Sequence, residues 1–399
     1  MSKFNKIFYG PAGTGKTRSA IINGVNIINE KLKKDIDLSS YKIVQEEFKN
    51  FAEVPDLPFN NENLIKEIQD SNKTADSIVK KPEYEGFLKQ LTNGSFDKEL
   101  AKEQINNYRE NSKAFPLIET VTFHPSYSYQ DFVEGIGVET VNEQIIYKPK
   151  DGIFKKICSR AINNPDKNYV LIIDEINRGD ISSIFGELFT LLEDSKRKGK
   201  NCTETLSINL PYSKDDKGNP KKLEVPDNLY INATMNTVDK SIALIDVALR
   251  RRFEFIECLP ITNLDEFKEI KNKLDIDISK FLTVINERIS ILKNEHYQIG
   301  HSYFLNINSF EDLVNVTKKS IIPLLQEYFY DDWRSICAVL NQSYKFPNNN
   351  KLLIKISPDV ENLFNREFGD LIEYRNKDIF RLNDDDKLSI ESFQEVYGR

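Results

Sequence analysis

The octapeptide Gly10-Pro11-Ala12-Gly13-Thr14-Gly15-Lys16-Thr17 constrains this 399-residue chain more than any other stretch. Glycines at the first, fourth and sixth positions let backbone N–H groups turn toward a phosphate with no Cβ in the way. Residues 4–9 ahead of it are apolar enough for a buried strand. Apolar residues at 20, 21, 25, 28 and 32 behind it recur at the spacing of one helix face. Strand, glycine loop and helix is the context in which such a loop binds nucleotide. Lys16 would reach the β- and γ-phosphates, the Thr17 hydroxyl would hold Mg²⁺, and the helix N-terminus would add partial positive charge.

A nucleotide loop needs acidic and polar partners from other strands. Leu171-Ile172-Ile173-Asp174-Glu175 is an apolar strand ending in two carboxylates. In a parallel sheet its carboxyl end would face the phosphates, with Asp174 on Mg²⁺ and Glu175 polarising the attacking water. Asn236 follows the next strand, where a side-chain amide can orient water near a γ-phosphate; an Asx turn is the plainer alternative. Arg250, Arg251 and Arg252 precede a further strand and could stabilise charge on a transferring phosphoryl group, even across a subunit boundary, or form a solvated basic run. Arg178 could sense nucleotide or touch a neighbour. His124 reads as structural, and Tyr127, Tyr129 and Phe132 as packing.

The remaining organisation follows hydrophobic periodicity. Residues 33–115 are polar with weak helical spacing near 60–70, 84–91 and 98–109, which predicts a largely helical insertion, either a solvated spacer or a partner-binding element. Residues 118–123 read as a second core strand and 136–148 as a small hairpin. Asp151 is expected to cap a helix with apolar positions 153, 154, 157 and 161. Residues 169–173 form a continuous apolar run, as in a strand buried on both faces. A helix through 181–194, a polar hairpin over 206–226, and strands at 229–234 and 253–256 complete an alternating pattern, the mark of a parallel α/β sheet. Beyond about 260 the pattern turns helical.

Composition narrows the function. Lys and Arg number 55 against 62 Asp and Glu, a net charge of −7, so whole-surface nucleic-acid binding is not expected, although a local basic stripe is compatible. No apolar run has the length of a membrane span, and the chain runs straight into strand and loop without a signal peptide, so a cytoplasmic protein without membrane contact is expected. The four cysteines form no CxxC pair and the three histidines lack metal-ligand spacing, so neither disulfides nor zinc are expected.

The strings FHPSYSYQDFVEG, DEINRGDISSIFGELFTLLE, MNTVDKSIALIDVALRRRF and IGHSYF resemble the McrB family of AAA+ GTPase modules, the motor subunits of McrBC modification-dependent restriction systems. The resemblance covers residues 1–29 and about 116–335. It implies an α/β AAA+ P-loop fold: a large domain over 1–257 with a five-stranded parallel sheet, then an α-helical lid over 258–399. It implies hexameric rings, use of GTP with Mg²⁺, stimulation by a McrC-like nuclease subunit, and DNA translocation through the assembled complex. Asn236 and Asp239 would belong to the signature loop, Arg251 and Arg252 would act in trans, and His301 and Ser302 would lie in the sensor region of the lid. An ATP-using, MoxR-like remodeller and a nucleotide-regulated assembly module are the alternative readings. Three departures stand out. Lys240 replaces the usual arginine of the signature loop, the 33–115 insertion is long, and the chain opens at the P-loop. Either a preceding DNA-reading segment has been trimmed, or DNA recognition lies in another subunit, in the insertion, or nowhere.

Overall fold

The structure is a computed structural model. It describes residues 4–34, 40–52, 61–69, 73–92, 94, 96–112, 116–141, 144–199, 202–238, 247–330, 332–345, 352–356, 379–384 and 387–398. The chain divides into two compact units. One comprises Met1–Phe8, Thr17–Met235 and Ser241–Ile256; the other comprises Tyr9–Lys16, Asn236–Lys240 and Glu257–Arg399.

β1 (Asn5–Gly10) leads through the glycine loop to the helix Lys16–Leu32, which buries Ala20, Val25 and Ile28 at the predicted spacing. The polar stretch that follows holds helices Tyr41–Ala52, Glu62–Gln69, Ala75–Val79, Glu85–Leu91 and Lys98–Ser112. Leu64, Ile68, Ile78, Leu88, Ala101 and Ile105 bury one another there, so the insertion is a packed helical body and not a solvated spacer. Next come β2 (Ile118–Thr122), the hairpin β3 (Glu134–Val141) and β4 (Gln144–Asp151), β5 (Tyr169–Asp174), the hairpin β6 (Ile208–Lys214) and β7 (Pro220–Leu223), β8 (Leu229–Asn236) and β9 (Glu254–Glu257). Five strands form one sheet in the order β2-β5-β8-β1-β9. The register is parallel, running Ile118↔Val170 to Thr122↔Asp174 and Tyr169↔Leu229 to Ile173↔Ala233. β5 is buried from Tyr169 to Ile173, as a strand covered on both faces must be.

Two local expectations fail for steric reasons. Asp151 does not cap the helix Ile153–Asn163; it ends β4 and pairs with Lys155 at 2.6 Å, while Gly152 occupies the cap. A Cβ at 152 would lie 2.4 Å from the Phe132 carbonyl, so no capping side chain fits where strand turns into helix. The single helix over 181–194 is two short helices, Ile181–Phe185 and Leu188–Leu191, because Gly186 between them adopts φ +48°.

Two buried polar clusters have no counterpart in the periodicity. Glu134 at the root of β3 accepts from Lys155 Nζ at 2.7 Å, from Ser213 Oγ, and from the amides of Tyr212 and Ser213 at 2.8 and 3.1 Å, tying one hairpin to the other. Burial pushes its carboxyl up, but these donors together outweigh burial and hold it below the usual carboxylate range. Arg197 is wholly buried, donating to the Pro226 and Leu229 carbonyls and to Asn5 Oδ1, with Phe4 against its face. Burial lowers its pKa to about 10, which leaves it charged at neutral pH.

The second unit is mainly helical beyond Glu257. Helices Asp265–Leu274, Ile278–Leu292, Ile322–Phe329, Trp333–Val339 and Ile390–Tyr397 surround a core that includes Phe281, Ile285, Phe304, Leu325, Ile336 and Phe393. An antiparallel ribbon, β10 (Leu353–Ile356) with β11 (Ile379–Leu382), adds a feature the sequence pattern did not predict. Among the described residues no helix is long and apolar enough to cross a membrane.

Replacing Glu134 by Ala would leave Lys155 with Asp151 and the Ser213 hydroxyl and would strand the amides of Tyr212 and Ser213. Breaking a buried pair this way costs about 3–5 kcal/mol. Chemical denaturation should show a loss of that order for Glu134→Ala and almost none for Lys217→Ala at the exposed hairpin tip; equal midpoints would show that the network does not hold the hairpins.

Candidate nucleotide site

The glycine loop is built into the second unit by its backbone. Gly13 and Gly15 take φ values of +75° and +78°, which side chains disfavour. The amide of Gly300 donates to the Ala12 carbonyl and that of Ser302 to the Gly13 carbonyl, each at 3.1 Å. A Cβ on Gly300 would fall 2.0 Å from the Gly13 carbonyl, and the Tyr303 ring lies against Gly13 from the same segment. That segment is itself clamped: Asn286, buried in the helix Ile278–Leu292, donates to the Ile299 carbonyl at 2.9 Å and accepts from the Ile299 amide at 2.7 Å. His301 is buried, and its Nδ1 accepts from the Ile261 amide at 3.1 Å. Its proton therefore resides on Nε2, the ring atom turned toward Gly15.

Within the loop the Thr14 hydroxyl donates to the Pro11 carbonyl at 3.0 Å, and Lys16 Nζ donates to the carbonyls of Gly10 and Pro11 at 3.1 and 2.6 Å. The amide of Thr237 donates to the Gly10 carbonyl at 3.2 Å, which brings the end of β8 beside the loop's first glycine. Asn236 is the last residue of β8; its Oδ1 accepts from the Val238 amide at 3.5 Å, the geometry of a long Asx turn.

In the first unit, Thr17 follows Lys16 directly and its hydroxyl donates to Asp174 Oδ1 at 3.1 Å. The Thr234 hydroxyl donates to the same oxygen at 2.6 Å and accepts from the Glu175 amide at 3.0 Å. Glu175 has left-handed backbone angles, φ 53° and ψ 50°. Arg178 Nε stands 3.6 Å from its Oε2, an ion-pair distance beyond hydrogen bonding. The three arginines diverge. Arg252 donates to Glu193 at 2.6 Å within its own unit, while Arg250 and Arg251 are exposed on the helix Val247–Arg252.

The loop from Gly10 to Lys16 thus gathers His301, Ser302 and the end of β8, while Thr17, Asp174 and Glu175 form one hydrogen-bonded cluster. Asp239 lies outside the described residues, as do Lys240 and Ser241. Thr234 and Asn286 were passed over. Thr234 stands between Ala233 and Met235 near a strand end, and Asn286 falls at helical spacing from the buried Leu282 and Ile289; a polar residue at such a position is the one signal that could have flagged either.

A P-loop at the edge of a parallel α/β sheet, two carboxylates at the end of β5 and a helical region packed on the loop define a AAA+ module. The sequence model of the AAA domain of the dynein-related subfamily matches residues 112–253, and that of the McrB alpha-helical lid domain matches 277–337. The chain is 37% identical over 243 residues to the type IV methyl-directed restriction enzyme EcoKMcrB subunit of Escherichia coli K12, covering 55% of this chain and 49% of the relative. It is 27% identical over 324 residues to the type II restriction enzyme BsuMI component YdiS of Bacillus subtilis 168, covering 70% of this chain and 85% of that one. The chain therefore spans about half the length of the E. coli relative. It carries an McrB-like AAA+ module.

Gly300→Ala should push the 299–304 segment off the loop and weaken nucleotide binding roughly tenfold or more. Gly86→Ala, where a Cβ meets nothing within 4 Å, should leave binding unchanged. Parental affinity in Gly300→Ala would show that the glycine–glycine contact does not shape the loop.

Proposed function

We propose that this chain is the GTP-hydrolysing AAA+ motor subunit of an McrBC-like restriction complex in the cytoplasm. Six copies would form a ring that moves DNA for a McrC-like nuclease subunit. The observation that carries the hydrolase reading is the Thr17–Asp174 hydrogen bond, which joins the residue after the P-loop lysine to the strand that ends in Glu175. The choice of GTP, the ring and the nuclease partner rests on the McrB resemblance and on the restriction-enzyme relatives.

The chemistry is positional and electrostatic. The Lys16 ammonium, held over the loop's own carbonyls, would exchange them for β- and γ-phosphate oxygens. Thr17 spends its proton on Asp174, which leaves its oxygen lone pairs for a cation. A hydroxyl and a carboxylate are hard oxygen donors that fit Mg²⁺, which when bound would neutralise charge on the phosphate oxygens. Glu175 would take the proton of the attacking water. Asn236, at the end of β8, would orient that water once its amide leaves the long turn bond. His301 Nε2–H and Ser302 would contribute donors from the lid segment. With Arg252 engaged by Glu193, Arg251 is the arginine offered to a neighbouring subunit's phosphate.

Fingers supplied in trans contribute roughly 10³–10⁵ in rate. Arg251→Ala should therefore assemble and bind nucleotide but turn over slowly, and Lys16→Ala should be silent. A mixture of the two should regain turnover, because a Lys16→Ala subunit can offer its Arg251 to a neighbour with an intact loop. If the mixture is no faster than the sum of its parts, the trans assignment fails.

A further inference from the structure

We propose that Thr234 is a positioning residue for hydrolysis: its one hydroxyl locks both the Asp174 carboxylate and the backbone of Glu175. The inference rests on the reading of Glu175 as the carboxylate that activates water. Thr234 is 2% exposed and stands in β8 among buried Ile231, Ala233 and Met235. The parallel register pairs Ile173 with Ala233, so the next residues along, Asp174 and Thr234, are neighbours at the ends of their strands. The hydroxyl has one proton and uses it on Asp174 Oδ1 at 2.6 Å; its lone pair takes the Glu175 amide at 3.0 Å. That amide is the first beyond β5, where the strand ladder no longer supplies an acceptor.

The second bond is the informative one. Glu175 is a non-glycine residue in the left-handed region, a conformation that persists only where surrounding structure over-determines it. Releasing its amide would let the peptide relax toward ordinary angles and swing the carboxylate. The first bond acts on the same machinery from the other side, because Asp174 Oδ1 also receives the Thr17 hydroxyl at 3.1 Å. One side chain thus sets the direction of two acidic groups. Loss of the hydroxyl should therefore lower the rate of the chemical step while leaving nucleotide affinity in place.

The test is a double-mutant cycle in the full chain, assayed for GTP hydrolysis at saturating Mg²⁺, with KM and thermal melting followed alongside. Thr234→Val keeps the shape and removes both hydrogen bonds; its kcat should fall ~10–100-fold with KM within twofold of the parent. Thr234→Ser should restore kcat. In a Glu175→Gln background the cost of Thr234→Val should shrink, since one of the two groups it aims is already disabled. A Thr234→Val protein with parental kcat overturns the proposal, as does a loss that persists in full in the Glu175→Gln background. If Thr234→Val melts early, assay well below its melting temperature carries the same comparison, and failure of Thr234→Ser to restore kcat again counts against the idea. Parental turnover in Glu175→Gln itself would instead remove Glu175 from the mechanism, an outcome distinct from either failure of Thr234.

Discussion

The Oδ1 oxygen of Asp174 accepts from two threonine hydroxyls, one at the first turn of the helix behind the glycine loop and one at the end of β8. This convergence exists only because parallel strands end on the same edge of a sheet. β5 can deliver a carboxylate to a helix N-terminus because its five apolar residues are buried on both faces and leave it no freedom of register. A one-residue slip would turn Asp174 to the other face and replace it with Ile173 or Glu175.

A second constraint governs the glycine loop. Its carbonyls at Ala12 and Gly13 are taken by amides of the 299–304 segment, and the approach is close enough that a methyl group on Gly300 has no room. The segment owes its position to Asn286, which replaces a missing strand partner by bonding both backbone groups of Ile299. The loop's conformation is thereby tied to residues almost three hundred positions downstream.

Much of the sheet was legible because its signals are local. Apolar runs at 4–9, 118–123, 169–173, 229–234 and 253–256 each became a strand, and the octapeptide at 10–17 together with Asp174 and Glu175 fell where the pattern placed them. What escaped was long-range and polar. Thr234 matters through Asp174, sixty residues away, and Glu134 through Ser213, seventy-nine residues away. No window of sequence contains both partners. Asp151 and the 181–194 segment misled for the opposite reason: capping and periodicity rules were satisfied locally, but a backbone approach at Gly152 and a positive φ at Gly186 overrode them. The insertion buried a core of its own despite a polar sequence, since a few apolar residues at helical spacing on several helices suffice for a small one.

The basic run before β9 illustrates how charge alone under-determines role. Of three consecutive guanidiniums, Arg252 is fixed to Glu193 and Arg250 lies over Phe255, which leaves Arg251 as the outward one. The proposed function requires turnover of a guanine nucleotide at the P-loop. Phosphate release from GTP and from ATP, measured side by side with Mg²⁺ present, tests this most directly. The account predicts a higher kcat/KM for GTP that disappears when Mg²⁺ is chelated. Release from neither nucleotide, or an equal or greater kcat/KM for ATP, would contradict it.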